Sequence, residues 1–428
     1  MISLRNKVFN TLRSSERLFN LDMVYAVKGG LWTTLRFSVS LLGSIATMVA
    51  FGNLLSREAY GTYNYLLSLA ASLSFLTFSG VGTAVLRAVA RGYENIVPFA
   101  LRLQLKYNLI AISVVLSAAI YYGYKGDALF ALSLTLLALA YPLAEAFHIY
   151  EQVLTSKKRF DILAKIDSLN NLATTVVVVI TLLLTNNILI LVGIYTLMSL
   201  GPNILSYWWS VRDLDKSEPN PETLAEMHRT AFHITGAGLI GTASQYIDKI
   251  ILFQVAGPAA LAIYSFATTG PERIKGLIKN WVGISVPKLA QKSTTQIHAI
   301  FYKRICFSVL IGTLLALTYT TLSPLLFELF LPRYLDSISY SQVYALGLIA
   351  IPATVYIGAI FATQNMLRAT YTQSVASQIT RIILFLIFGW LWQAWGLVIG
   401  SVVSNFINAL YSIIIWEWEY RRLTENNV

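Results

Sequence analysis

The chain has 428 residues, of which 56% are hydrophobic and 12% charged, about half the charged share of a soluble globular protein. That composition excludes a soluble globular protein and points to the membrane. The net charge of +11 then becomes a question of where the Lys and Arg fall.

Before the first apolar stretch, Leu4, Val8, Leu12 and Phe19 share one side of a segment that also carries Arg5, Lys7, Arg13 and Arg17. Residues 1–30 therefore read as a short basic amphipathic segment on the inner membrane surface. The first apolar stretch starts near Gly30 and is long, unlike a cleaved secretory signal. About twelve stretches of roughly 20 residues follow, each long enough to cross the hydrocarbon as a helix. They fall at 31–53, 62–85, 105–124, 128–149, 163–185, 188–209, 230–256, 261–285, 305–330, 340–364, 374–392 and 396–418. The expected fold is an all-α polytopic membrane protein.

Orientation follows from the positive loops, which stay cytoplasmic. Lys and Arg cluster before the first stretch and after the second, fourth, sixth and eighth, and Arg421 and Arg422 close the chain; the other side has Arg57, Lys125 and Arg333. Both termini are expected in the cytoplasm, with an even number of spans. The basic balance is thus topology and contact with anionic lipid, and the chain offers no soluble basic surface for nucleic acid.

Sliding the chain against itself by 201 residues puts Tyr63 on Tyr264, Val81-Gly82 on Val282-Gly283, and Arg87 and Arg91 on Lys288 and Lys292. A shift of 210 puts Pro142 on Pro352. The expectation is two six-helix lobes, 31–212 and 230–418, repeated in parallel around a central cavity. The Pro-rich, charged segment 213–229 reads as the cytoplasmic link between them, and 419–428 as a cytoplasmic tail.

Charges inside apolar helices are the chemically informative residues, because each costs on the order of 3 kcal/mol at mid-bilayer. Asp248, Lys249, Glu272, Arg273, Lys275 and Lys279 lie on a helical hairpin that turns at Gly257-Pro258. Asp248 and Glu272 lie at similar depth, roughly 13 to 17 Å from the outer boundary at helical rise. Asp248 can therefore meet Arg273, and Lys249 can meet Glu272. That leaves Lys275 and Lys279 without acidic partners, so Arg273, Lys275 and Lys279 are expected to form a cationic, water-filled wall suited to an anion. Pro271 after Gly270 predicts a kink or break, whose freed carbonyls are further candidates for the cavity lining. Under the repeat, the charged positions 272, 273, 275 and 279 fall on Ala71, Ser72, Ser74 and Phe78, so this charge belongs to the second lobe alone.

Arg36 either snorkels to the inner surface or lines the cavity, and Arg381 is a further cavity candidate. Glu145, His148 and Asp167 are the first lobe's candidates for a proton or cation site, or for plain hydrogen bonding near the inner surface. Trp208, Trp209, Trp416 and Trp418 read as interfacial aromatics, and Cys306 as a small buried hydrophobe that leaves no disulfide within the chain. No phosphate loop, CxxC, HExxH or GxSxG is present, so the residues suggest no cofactor, metal or hydrolytic chemistry.

The stretches FGNLLSREAYGTYNYLLSLAASLSFLTFSGVGTAVLRAVAR, IDKIILFQVAGPAALAIYSFATTG, VPKLAQK and LLFELFLPRYLDS resemble the polysaccharide flippase family. These are the O-antigen and lipid-linked oligosaccharide exporters of the multidrug/oligosaccharidyl-lipid/polysaccharide superfamily. Ala262 stands where members usually have a glycine, which Gly61 keeps in the first half. The resemblance implies a non-enzymatic exporter in the inner membrane. It would carry an anionic oligosaccharide on a polyprenyl diphosphate, such as an O-antigen or capsule repeat unit, to the outer leaflet by alternating opening of two lobes, with polysaccharide-assembly machinery as a further candidate partner. A coupling proton or sodium ion is not readable in these residues. Two rivals remain: a cation-coupled multidrug antiporter, which expects an acidic cavity, and a membrane glycosyltransferase or polymerase, which expects a sizeable external loop.

Overall fold

The computed structural model describes residues 23 to 425, Lys216 excepted; the basic segment before residue 23 lies outside the described residues. In chain order the helices are α1 (Met23–Leu54), α2 (Arg57–Ser72), α3 (Gly80–Ala90), α4 (Val97–Tyr124), α5 (Ala128–Phe147), α6 (Ile149–Ser156), α7 (Phe160–Leu184), α8 (Ile188–Val211), α9 (Pro221–Ser244), α10 (Ile247–Ala290), α11 (Thr294–Phe330), α12 (Ser337–Ala345), α13 (Ile351–Thr363) and α14 (Leu367–Glu425). The chain is an all-α multi-pass membrane protein. Nine helical segments among the described residues are long and apolar enough to cross a membrane. Two of them are pairs of helices joined through a break, at Gly257 (φ 80°) in α10 and at Gln393 (φ 50°) in α14. With the second helix, split into α2 and α3, these account for the twelve expected.

Several boundaries move for physical reasons. The stretch 62–85 is not one helix: a short 3-10 turn at Leu73–Leu76 follows α2, and Gly80 starts α3. The seventh helix starts at Pro221, inside the segment read as a linker; proline suits a first helical turn, and Asn220 Oδ1 accepts from the Glu222 backbone N–H at 3.0 Å. Cys306 is exposed, and Trp416 is fully buried, stacked on Phe301 at 5.2 Å, while Trp208, Trp209 and Trp418 are exposed.

Two compact units form. Among the described residues, the first holds 23–50 and 76–236. Its core gathers Val81, Val85, Tyr150, Val153, Leu163 and Ala231. Gly80 is needed there, since a Cβ would lie 2.2 Å from the Ala231 carbonyl oxygen. Buried Asn108 donates to the Pro142 carbonyl at 2.6 Å and accepts from the Phe78 backbone N–H at 3.2 Å, pinning an irregular turn to a proline-containing helix.

The second unit holds residues 51–75 and 237–425 of the described chain, so α2 is built into it. The approach of α2 to α10 is set by Gly61, whose added Cβ would sit 1.8 Å from the Pro258 carbonyl oxygen. The start of α2 is clamped by Arg57, which donates to Asp336 at 2.8 Å and to the Arg333 carbonyl at 2.6 Å and lies 5.4 Å from the centre of the Tyr334 ring. Burial pushes the Tyr334 hydroxyl up to about 12 while Arg57 opposes the rise, so the ring stays neutral and the contact is cation–π.

The break that the sequence allowed at Pro271 does not occur: Gly257 is the residue of α10 with non-helical backbone. Proline removes the N–H that the Ala267 carbonyl would accept from, and buried Ser341 replaces it, its hydroxyl donating to that carbonyl at 2.6 Å. Ser341→Ala should therefore cost about 1–3 kcal/mol through the orphaned carbonyl, read as a lower melting temperature in detergent. Gly61→Val should cost about 1–3 kcal/mol by overpacking; an unchanged melting temperature would contradict the close approach at Pro258.

Candidate functional site

A polar cavity of about 640 Å³ lies within the second unit. The second half of α10 brings Glu272, Arg273, Lys275 and Lys279 to it, and the first half Asp248 and Lys249. Helix α14 supplies Gln378 and Arg381 before its break and Asn405 and Asn408 after it; α2 supplies Tyr60 and Asn64, and α12 supplies Tyr344. Ile351 and Val355 are the aliphatic side chains of the lining.

The charge pairing differs from the sequence expectation. Asp248 accepts from the Tyr264 hydroxyl at 2.7 Å and lies 3.9 Å from Arg381, with no ion pair to Arg273. Glu272 accepts from the Tyr344 hydroxyl at 2.8 Å and from Lys275 at 3.2 Å, which gives Lys275 the acidic partner it was expected to lack. Lys249 donates to Asn64 Oδ1 at 3.1 Å in place of Glu272. The hairpin supplies only part of the surroundings, because α2, α12 and α14 insert their own polar groups and satisfy the charges first.

After these pairings the cavity lining holds five cationic side chains, Lys249, Arg273, Lys275, Lys279 and Arg381, against two carboxylates. Arg273 and Lys279 are both exposed to the cavity and are in no ion pair among the described residues. Each carboxylate already has a hydroxyl and a cation, so what remains to meet a ligand is positive charge together with neutral amides and hydroxyls. Such an arrangement can hold an anion by charge-assisted hydrogen bonds and presents no free carboxylate to a cation.

Arg36 belongs to the first unit and is not among the residues that line this cavity. Its Nε lies 2.6 Å from Asp167 and its Nη2 2.8 Å from Glu151. Tyr150 donates to Asp167 at 2.8 Å, and His148 lies 3.2 Å from Glu151. Asp167 and Arg36 are thus brought together, whereas Glu145 is half-buried and joins no ion pair among the described residues. Sequence reasoning missed Glu151, Asn64, Tyr264, Tyr344 and the amides of α14. Arg36 alone was a usable signal, since a deep arginine needs a carboxylate.

Breaking the Asp248–Arg381 pair should be costly. Asp248→Ala strands the half-buried Arg381 guanidinium and should lower stability, whereas Asp248→Leu with Arg381→Met should recover most of the loss. Thermal unfolding in detergent compares the two, and a double variant no more stable than the single would contradict the pairing.

A sequence model of the family described as "Polysaccharide biosynthesis protein" matches residues 26–293 and 290–427. No curated protein sequence matches the chain. Among solved structures, an inward-facing multidrug resistance MATE family transporter of the MOP superfamily matches with a TM-score of 0.63 at 15% identity, over 92% of this chain and 99% of its own. An outward-facing conformation of a MATE family transporter gives 0.62 at 16%, over 94% and 96%. A MOP superfamily transporter from Pyrococcus furiosus, described as having a binding pocket of reverse polarity that suggests a different function, gives 0.63 at 15%, over 94% and 96%. At these identities the likeness establishes the fold, which is MATE-like over most of the chain.

Proposed function

Because the chain belongs to the polysaccharide biosynthesis protein family, we propose that it moves an oligosaccharide carried on a polyprenyl diphosphate from the cytoplasmic to the outer leaflet by alternating access. The observation that carries this reading is the cavity of the second unit, where Arg273 and Lys279, in no ion pair among the described residues, stand beside Lys275 and Lys249. A diphosphate cannot cross hydrocarbon without losing its hydration, and guanidinium and ammonium groups on a polar wall replace that hydration. The polyprenyl tail stays in lipid while the head group passes through protein. An inside-negative potential helps an outward-moving anion by about 2.3 kcal/mol per charge per 100 mV.

The distribution of Lys and Arg supports both termini in the cytoplasm and anionic lipid as the surroundings of the inner surface. Arg273, Lys275 and Lys279 hold the phosphates in this reading. Arg381, Asp248, Lys249 and Glu272 hold the cavity's shape and charge balance. Arg36, Asp167 and Glu145 of the first unit are the coupling candidates. A drug antiporter is less well served: a hydrophobic cation would meet paired carboxylates and few apolar side chains. The description of the Pyrococcus furiosus transporter supports the idea that this fold also accommodates a cavity of other polarity.

In proteoliposomes loaded with a lipid-linked oligosaccharide, Arg273→Ala and Lys275→Ala should each lower flipping several-fold, scored as head-group accessibility on each face. The variants should still insert at normal levels. Normal flipping in both would remove the cationic wall from the mechanism.

A further inference from the structure

Helix α2 is fastened to α10 by contacts of two kinds. Toward the turn at Gly257-Pro258 they are neutral: the rings of Tyr65 and Phe253 stack at 3.8 Å and those of Tyr60 and Phe266 at 4.4 Å, and Gln254 Nε2 donates to the Tyr65 hydroxyl at 2.8 Å. At the cavity lining the contact is charged, with Lys249 Nζ donating to Asn64 Oδ1 at 3.1 Å. Asn64 is in turn tied along α2, because its Oδ1 also accepts from Ser68 at 3.4 Å and its Nδ2 donates to the Tyr60 hydroxyl at 3.2 Å.

Lys249 differs from its neighbours in the lining. Arg381 has Asp248 and Lys275 has Glu272, whereas Lys249 is in no ion pair among the described residues and bonds across to another helix. An ammonium carries three donors, and here a neutral amide meets one of them. A cation among apolar helices is costly without a counter-ion, so an anion in the cavity is the group that completes Lys249. Held between that anion and Asn64, the ammonium fixes both; without the anion, a flexible four-carbon stem ends on a single neutral acceptor.

We propose that Lys249 makes α2 a sensor of cavity occupancy, a role that rests on the reading of the cavity as a phosphate site. An entering phosphate becomes the counter-ion of Lys249, and α2 is locked on the second unit while the site is filled and released when it empties. A ligand shifts such an equilibrium by its differential affinity for the two states, and the phosphate–Lys249–Asn64 bridge supplies the difference. Residues 51–75 belong to the second unit and the chain returns to the first at residue 76, so the lock acts on a segment that joins them.

The test is thiol labelling of the purified full chain in detergent. The sequence has one cysteine, Cys306, which is exposed. Cys306→Ser with Ser68→Cys leaves a single thiol at a position on α2 that is 2% exposed, so its reaction with a maleimide follows local opening of the helix. Dimethyl diphosphate, at a concentration that calorimetric titration shows to saturate this reference protein, should slow labelling about tenfold, as one charge-assisted hydrogen bond would supply. Lys249→Met should abolish the slowing, measured at its own saturating concentration. Asn64→Asp gives α2 a direct ion pair with Lys249 and should slow labelling with no ligand present, which a packing role alone does not produce. Labelling that bound diester fails to slow, or slowing that survives Lys249→Met, overturns the lock and leaves the phosphate site standing. Absence of diester binding overturns the phosphate site and the lock with it. If Lys249→Met does not fold, Asn64→Asp decides: labelling as fast as in the empty reference protein overturns the proposal.

Discussion

A carboxylate within apolar helices is costly unless its charge is met, and this chain meets that constraint the same way three times, with a tyrosine hydroxyl and a cation. Asp248 has the Tyr264 hydroxyl and Arg381; Glu272 has the Tyr344 hydroxyl and Lys275; Asp167 has the Tyr150 hydroxyl and Arg36. Tyrosine suits the role because its ring packs as a hydrophobe while its hydroxyl donates. A second cation in its place would add another charge to desolvate.

The triads also explain how the second unit keeps a cavity. Two of them draw different helices onto α10: Arg381 comes from α14 and Tyr344 from α12. Asn64 adds α2 through its contact with Lys249. The polar groups that line the cavity therefore also hold its walls in place, and a substitution there can alter stability and ligand affinity together. Arg273 and Lys279 are the lining cations outside such pairs, which is why they report on ligand more directly than Asp248 or Arg381.

Much of the architecture was legible because hydrocarbon imposes a length and a period that apolar runs display directly. The turn at Gly257-Pro258, the deep charges of α10 and the place of Arg381 could all be read from the residues. The pairing could not. Asp248 and Arg273 are at matching depth on one hairpin, yet the partner of Asp248 lies 133 positions along the chain, on α14. Depth fixes one coordinate of a side chain, and helix order around the cavity fixes the others. The split between α2 and α3 was hidden for a related reason: the polar backbone at 77–79 is met by Asn108 from α4, a contact without a local signal.

The unbroken helix at Pro271 bears most directly on the cavity. A kink there would point Glu272 and the cations after it away from Asp248 and Lys249. Ser341 meets the carbonyl at Ala267 that Pro271 leaves without its N–H, the backbone stays helical through Pro271, and Arg273 and Lys279 are separated by roughly 9 Å of axial rise. A single buried serine on a neighbouring helix thus satisfies the backbone that carries charges to which it makes no bond. The cationic wall is then a property of backbone satisfaction as much as of charge.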